Sequence, residues 1–400
     1  MFDRPKYLNK MKRWLGKPLI KVLTGQRRTG KSYLLRLIQS EAEQLPGDNC
    51  HIRIDMESEE NFHIRSSHDL HEHIRNKMQE KSADRYFLYI DEIQEVEGFE
   101  KVIRNFAAQE NVDVWITGSN ADMLAGELAS GISGRYVTIP VYSLDFSEFC
   151  SFHKIDIGKD SLRTFIRYGG LPFLIHLEFE DEIIYDYLKN IIDTVIYKDV
   201  ISRYQIRNVR FLNDLLLYTA DTTGSLLSAK KISDYLKSQR VNISVNAVLD
   251  YLNYLVAAQI IYRVPRYDIR GRKHFEIGEK YYFQDTGLRN AITGYRITDI
   301  SQILESVVHH HLISHDFDVL IGKDQKREID FIARSGGETV YIQVCYLLSS
   351  EEVINREFGN LIAIPDNYRK IVVSMDENPG ASTEGIEQQS LFTFLTEFGV

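Results

Sequence analysis

The stretch Pro18–Ser40, "PLIKVLTGQRRTGKSYLLRLIQS", decides the fold. A short β-branched and apolar run leads into Gly25-Gln26-Arg27-Arg28-Thr29-Gly30-Lys31-Ser32, and an amphipathic helical pattern follows from Tyr33. Strand, glycine-bounded loop and helix in that order are what a Walker A motif requires. The glycines permit tight backbone geometry, so successive amide N–H groups and the helix N-terminus can surround a β-phosphate. Lys31 would reach the β- and γ-phosphates, and the Ser32 hydroxyl would hold Mg²⁺.

Downstream runs fit the same frame. "RYFLYIDEIQ", Arg85–Gln94, reads as a buried strand ending in Asp91 and Glu92. In such a strand Asp91 acts on Mg²⁺ from its outer coordination sphere, and Glu92 polarises the attacking water. The plainer alternative is an acidic pair capping the next helix. A further strand, "VDVWITGSN", ends in Thr117-Gly118-Ser119-Asn120. There Asn120 or Ser119 would sense the γ-phosphate, or simply cap a helix. "CHIRIDM" supplies another strand, with Asp55 at its end. Strands alternating with helices from about 18 to 145 predict a parallel sheet covered on both faces. Arg135, just before the strand Tyr136–Val141, is either a finger for a neighbouring subunit's γ-phosphate or a surface ion-pair residue.

The chain has 400 residues, 44% hydrophobic and 26% charged, with eight prolines, so it should fold throughout into two or three domains. An apolar signal core is missing from "MFDRPKYLNKMKRWLG", and "VLDYLNYLVAAQIIYRV" is interrupted by Asp250, Asn253 and Gln259. The expectation is a soluble cytoplasmic protein without a membrane segment. Cys50, Cys150 and Cys345 are too scattered for a disulfide framework or a thiolate metal site. A net charge of −9 gives no global attraction for nucleic acid. Yet Ser228–Lys280 carries ten Lys and Arg against five Asp and Glu.

Taken together, "GQRRTGKS", "YIDEIQ", "TGSN", "GRYVTIPVYSLDFSEF" (Gly134–Phe149) and "YGGLPFL" (Tyr168–Leu174) resemble a prokaryotic family. It is the AAA-type P-loop ATPases, related to the signal-transducing P-loop group, that carry a C-terminal PD-(D/E)xK nuclease-like domain. The resemblance covers almost the entire chain. It implies an α/β fold: a P-loop ATPase core over 1–150, a helical lid over 151–206, a winged helix-turn-helix over 207–285 and a nuclease-like domain over 286–400. It implies ATP and Mg²⁺ as cofactors, with Gly25, Gln26, Arg27, Arg28, Thr29, Gly30, Lys31, Ser32 and Tyr33 around the nucleotide. Lys31, Glu92, Asn120 and Arg135 would serve hydrolysis, and Ser32 and Asp91 the metal. A Gly-x-Pro turn of the lid packs on the base in relatives, which nominates Gly170 and Pro172. From the residues alone, Tyr168–Pro172 is a turn between helices.

In the middle segment, Ile232, Tyr235 and Leu236 form one helical face. Ser244 caps a second helix whose apolar side is Val248, Leu249, Leu252, Leu255 and Val256. A basic hairpin follows from Ile260, completing a winged-helix pattern. Lys230, Lys231, Lys237, Arg240, Arg263, Arg266, Arg270, Arg272 and Lys273 are available for phosphates, but "SVNAVLDYLNYLVAAQ" offers no Arg or Lys to base edges. Both non-specific DNA contact and docking within the protein or onto a protein partner stay open, the second favoured.

The C-terminal part gives helix, strand and the hairpin "REIDFIARSGGETVYIQVCYLL", Arg327–Leu348. By resemblance Glu305, Asp330 and Gln343 match metal ligands, whereas Cys345 stands where a lysine is needed. A neutral thiol is neither a cation nor a good Mg²⁺ ligand. Lys323 and Lys326 are the neighbouring substitutes, and cleavage is not expected. Of His309-His310-His311, only His311 shares a helical face with His315, which reads as a solvated surface. The function expected is an ATP-hydrolysing switch or scaffold for a protein partner, able to form homo-oligomers; the alternative is an ATP-dependent DNA-binding or DNA-processing protein.

Overall fold

A computed structural model describes residues 4–120, 134–274, 278–325, 327–377, 380 and 382–399. The chain forms two units, Met1–Tyr142 with Ala257–Gln259, and the remainder.

In the first unit the described residues form a five-stranded sheet of β1 (Ile20–Thr24), β2 (Asn49–Asp55), β3 (Arg85–Asp91), β4 (Val112–Gly118) and β5 (Tyr136–Pro140). The order is β2-β3-β4-β1-β5 and every pairing is parallel. Burial on both faces explains why β1, β3 and β4 read as nearly unbroken apolar runs. The two-residue period divides them between two cores. Val22, Leu88, Ile90, Val114 and Ile116 meet Leu70, Ile74, Phe99 and Ile103 on one face. Leu23, Phe87, Tyr89 and Trp115 meet Tyr7, Met11, Leu34 and Ile38 on the other.

The second unit begins with helices Phe146–His153, Lys159–Tyr168, Asp181–Val195 and Val209–Asp221. Strand β6 (Leu226–Leu227) and helices Ala229–Ser238 and Val245–Ala257 follow. Next come β7 (Ile261–Val264), β8 (Arg266–Asp268), β9 (Lys273–His274) and β10 (Glu279–Phe283). Strands β6, β10 and β7 make a small antiparallel sheet. Ser244 does cap its helix, accepting from the Ala247 N–H at 3.1 Å. The expected apolar faces need correcting, because Tyr235 is 65% and Leu249 42% exposed. The Ser233 hydroxyl donates to the Ile243 carbonyl at 2.6 Å and turns the first helix onto its Ile232–Ser233 side.

The chain then builds a second sheet from β11 (Asp318–Asp324), β12 (Arg327–Ser335), β13 (Glu338–Val344), β14 (Arg369–Ser374) and β15 (Glu387–Ser390). Its order is β15-β14-β13-β12-β11-β8-β9, so the expected basic wing is part of this sheet. Pro265 explains the departure. Lacking an N–H, proline interrupts the ladder that β7 makes with β10. Its carbonyl instead accepts from Ile321 N at 2.9 Å, and β8 runs parallel to β11.

Helix Ile300–Ser314 is covered on nearly all sides. The expectation of a solvated histidine face is therefore wrong: His309, His310 and His311 are all buried. His309 stacks on Tyr282 with the Phe331 ring tilted beside it, His310 pairs with the Ser143 hydroxyl at 3.1 Å, and His311 Nε2 lies 2.7 Å from the Phe398 carbonyl.

The "YGG" of Tyr168–Gly170 is more than a turn between helices. Asp285 caps helix Thr286–Thr293 and accepts from Gly287 N at 2.9 Å and from Gly170 N at 2.7 Å. Gly169 has φ +76°, and a Cβ there would fall 1.9 Å from Asp285 Oδ1. Gly169→Ala should therefore destabilise the protein by about 3 kcal/mol. Gly359→Ala, in open space within helix Glu351–Ile362, should be neutral or slightly stabilising. Denaturant unfolding of the two variants checks the contrast.

Candidate functional site

The loop after β1 is shaped by close backbone approach. A Cβ on Gly25 would lie 2.3 Å from the Val141 carbonyl oxygen, and Gly30 has φ +97° at the start of helix Lys31–Ala42. The Thr29 hydroxyl closes the turn by donating to the Gln26 carbonyl at 2.9 Å. Lys31 Nζ donates to the Gly25 and Gln26 carbonyls at 2.9 and 3.1 Å and lies 3.4 Å from Glu92 Oε1. Arg27 is buried and bridges Glu57 at 2.7 Å, Glu95 at 3.6 Å and Glu92 at 3.8 Å, whereas Arg28 is exposed. Tyr33 is half-buried against the core of its own helix.

Strand order brings the acids to this loop. β4 lies between β1 and β3, so Thr117 stands beside the end of β3. The Thr117 hydroxyl donates to Asp91 Oδ1 at 2.5 Å and accepts from Glu92 N at 2.9 Å. Ser32 also hydrogen-bonds Asp91, so the expected metal pair is together. Burial raises the Asp91 carboxyl, and the bonds from Thr117 and Ser32 offset part of that. Burial would raise Glu92 too, but the Lys31 ammonium and Arg27 guanidinium outweigh it and hold Glu92 below the usual carboxylate range. Glu92 caps nothing with its side chain, has φ +52°, and accepts from Gln94 Nε2. Gln94 Nε2 in turn donates to the Ser119 hydroxyl at 3.1 Å. Thr117 and Gln94 are the two residues missed in the sequence, and their only signal there is their place beside strand ends.

A nucleotide and its cation fit this donor set. Gln26 is 1% exposed, yet neither amide atom of its side chain has a partner. Among the described residues nothing accepts from the Gly30 N–H. A buried carboxyl beside a hydroxyl, Asp91 with Ser32, offers the hard oxygens that Mg²⁺ prefers. Asn120 is fully buried next to Ser119, and the residues after it lie outside the described ones. Arg135 is exposed at the opposite edge of the sheet, because Ile20 pairs with Tyr136 and Thr24 with Pro140. Five residues of strand, about 16 Å, separate it from the loop end, which excludes it from this chain's own phosphate site. Gly170 and Pro172 lie in the second unit.

The C-terminal acids form a different kind of cluster. Lys280, on β10, is buried with its ammonium 3.0 Å from Glu328, 3.2 Å from Glu305 and 3.8 Å from Asp330. The Tyr282 hydroxyl donates to Glu305 at 3.0 Å and Val344 N to Asp330 at 2.8 Å. Burial alone would lower the Lys280 ammonium, but Glu305, Asp330 and Glu328 more than offset it. Burial, with Glu305 beside it, pushes Asp330 well up. Gln343 is buried, and its Oε1 has no partner. Cys345 is buried and its thiol is pushed up to about 12 by burial. Lys323 is half-buried, and Lys326 lies outside the described residues. Among the described residues no three His, Cys, Asp or Glu side chains converge to hold a metal ion. Of the basic residues nominated for phosphates, Arg270 is tied to Asp324 by two bonds, at 2.5 and 3.3 Å, and Arg263 faces Glu279 at 3.8 Å.

The first site lies within a segment that matches a known domain. A family model described as an AAA domain matches residues 17–150, and one for a domain of unknown function matches 159–299. An uncharacterized protein of Haemophilus influenzae is 34% identical over 394 residues, covering 97% of this chain and 96% of that protein. One from Methanocaldococcus jannaschii is 28% identical over 345 residues, 82% of this chain and 75% of its own. Among solved structures, a Walker-type ATPase of Pyrococcus abyssi shares the fold with a TM-score of 0.53 at 16% identity, over 73% of this chain and 96% of that one. No helix among the described residues is long and apolar enough to cross a membrane.

Two stability measurements test these environments. Removing the ammonium from its carboxylates with Lys280→Met should destabilise by about 3 kcal/mol, and adding Glu305→Gln should recover part of the loss. His309, enclosed by aromatic rings, has its pKa lowered by burial to about 3. The unfolded chain therefore binds a proton near pH 6.5 that the folded chain refuses, so its contribution is lost as pH falls from there towards 3. His309→Gln should flatten that part of a urea-midpoint profile against pH.

Proposed function

The chain belongs to the AAA-type P-loop ATPases, in one family with the Haemophilus protein, and from that premise we propose a Mg²⁺-dependent ATP hydrolase that works as a switch for a macromolecular partner. The observation that carries the reading is the meeting of Lys31, Glu92, Asp91 and Ser32 at a loop whose buried Gln26 side chain lacks a partner. Mg²⁺, when bound, neutralises phosphate charge. Ser32 and Asp91 would hold it. Lys31 exchanges the Gly25 and Gln26 carbonyls for phosphate oxygens, which releases Glu92. With Arg27 still beside it, Glu92 would then accept a proton from the attacking water.

Ser119 and Asn120 report the γ-phosphate in this proposal, with Gln94 linking Ser119 to Glu92. Arg135 acts on a neighbouring copy, which makes the active form a homo-oligomer. The segment 207–285 is in this proposal a winged helix whose wing strands β8 and β9 join the sheet of 286–400, a nuclease-like domain that binds without cleaving. Cys345 in place of a lysine and Lys280 among the acids support that reading. A protein partner is favoured over DNA, because Asp324 already neutralises Arg270.

Lys31→Ala should weaken ATP binding by at least about 100-fold. Glu92→Gln should leave binding near wild type and slow turnover by ~10²-fold or more. Equilibrium binding of a fluorescent ATP analogue and phosphate release with and without EDTA check both. Equal ATP binding by wild type and Lys31→Ala would overturn the site. Stimulation of turnover by duplex DNA would move the partner from protein to nucleic acid.

A further inference from the structure

Arg4 precedes helix Pro5–Lys12 and is 1% exposed. Its Nη1 donates to the Thr29 and Tyr142 carbonyls, each at 3.1 Å, and its guanidinium lies 4.3 Å from the centre of the Tyr7 ring. The Tyr7 hydroxyl accepts from Tyr142 N at 3.0 Å. Tyr7 and Met11 are themselves set in the core with Leu34, Leu35 and Ile38 of the helix that follows the loop. A buried cation is costly unless its bonds fix it, so this clamp holds one arrangement of the loop.

The peptide between Thr29 and Gly30 is planar and trans, so its carbonyl and its N–H point in opposite directions. Holding the Thr29 carbonyl towards Arg4 turns the Gly30 N–H away from the N-terminal helix. That N–H has no acceptor among the described residues. A cation on the carbonyl also polarises the peptide and strengthens the N–H as a donor.

We propose that Arg4 is a positioning residue that fixes the Thr29–Gly30 peptide from outside the loop and presents the Gly30 N–H to the β-phosphate of a nucleoside di- or triphosphate. The inference rests on the nucleotide-binding reading above. It predicts that the first residues ahead of the sheet set phosphate affinity without touching the ligand.

The test uses the full chain with Arg4→Met, which keeps the stem and removes the donors, and Arg4→Lys, which keeps a charged donor. In nucleotide-free protein labelled with ¹⁵N-glycine, the Gly30 amide resonance, identified by its loss in Gly30→Ala, should move in Arg4→Met and return towards wild type in Arg4→Lys. ADP and pyrophosphate should bind Arg4→Met about tenfold more weakly, with adenosine unchanged and Arg4→Lys within about threefold of wild type for all three. An unmoved Gly30 resonance, or equal losses for ADP and adenosine, would overturn the proposal. Wild type that binds neither ADP nor pyrophosphate would instead remove the nucleotide reading beneath it. If Arg4→Met loses its circular-dichroism signal, Arg4→Gln, with a neutral donor, takes its place and should fall between Met and Lys.

Discussion

The first unit depends on one constraint, the insertion of β4 between the loop strand β1 and the acidic strand β3. Parallel strands deliver all their C-terminal ends to one edge, where ligands of open α/β sheets bind. With β4 in between, a single hydroxyl from Thr117 reaches both the Asp91 carboxylate and the Glu92 backbone. That fixes the bend at Glu92, whose positive φ accompanies a carboxylate that meets Lys31 on one side and Gln94 on the other. Had β3 paired directly with β1, no such bridge would exist. The acids would then face the loop without a fixed geometry.

The loop geometry and the charge state of Glu92 are coupled. Lys31 spends its donors on two loop carbonyls and on Glu92, and Arg27 adds a second cation to the same carboxylate. Glu92 therefore stays ionised although it is buried. Asp91, which has only hydroxyl partners among its named bonds, is driven the other way by the same burial. Two adjacent acids on one strand end thus hold different protonation tendencies, set by which cations the backbone places beside them.

Much of this was legible in the chain because it is local. The loop, its strand and its helix are contiguous, and the apolar runs of β3 and β4 announce two-sided burial. What stayed hidden required contacts between distant residues. Thr117 looked like one more polar residue at a strand end until the strand order put it beside Asp91. Tyr235 and Leu249 fitted a helical stripe, but the Ser233 bond rotated the first helix. The histidines read as surface because their periodicity gives no single face, which is also what a helix buried all round produces. Arg270 counted towards a basic patch because nothing local reveals that Asp324, 54 residues on, faces it.

Lys280 carries the same lesson into the C-terminal hairpin. The position two residues after Gln343 holds a buried thiol, and the ammonium that the acids meet comes from β10, a strand of the small antiparallel sheet. Pro265 makes this possible: by ending β7 and sending β8 onto β11, it draws the two sheets together along their shared segment. The lysine is therefore a structural tie as well as a counter-ion. Its three carboxylate neighbours leave it fixed, with little freedom to orient water. A nuclease lysine must do the opposite, staying close to its metal ligands while keeping a donor for the reacting group. The acids of this hairpin are thus better explained by what joins the two sheets than by phosphodiester chemistry.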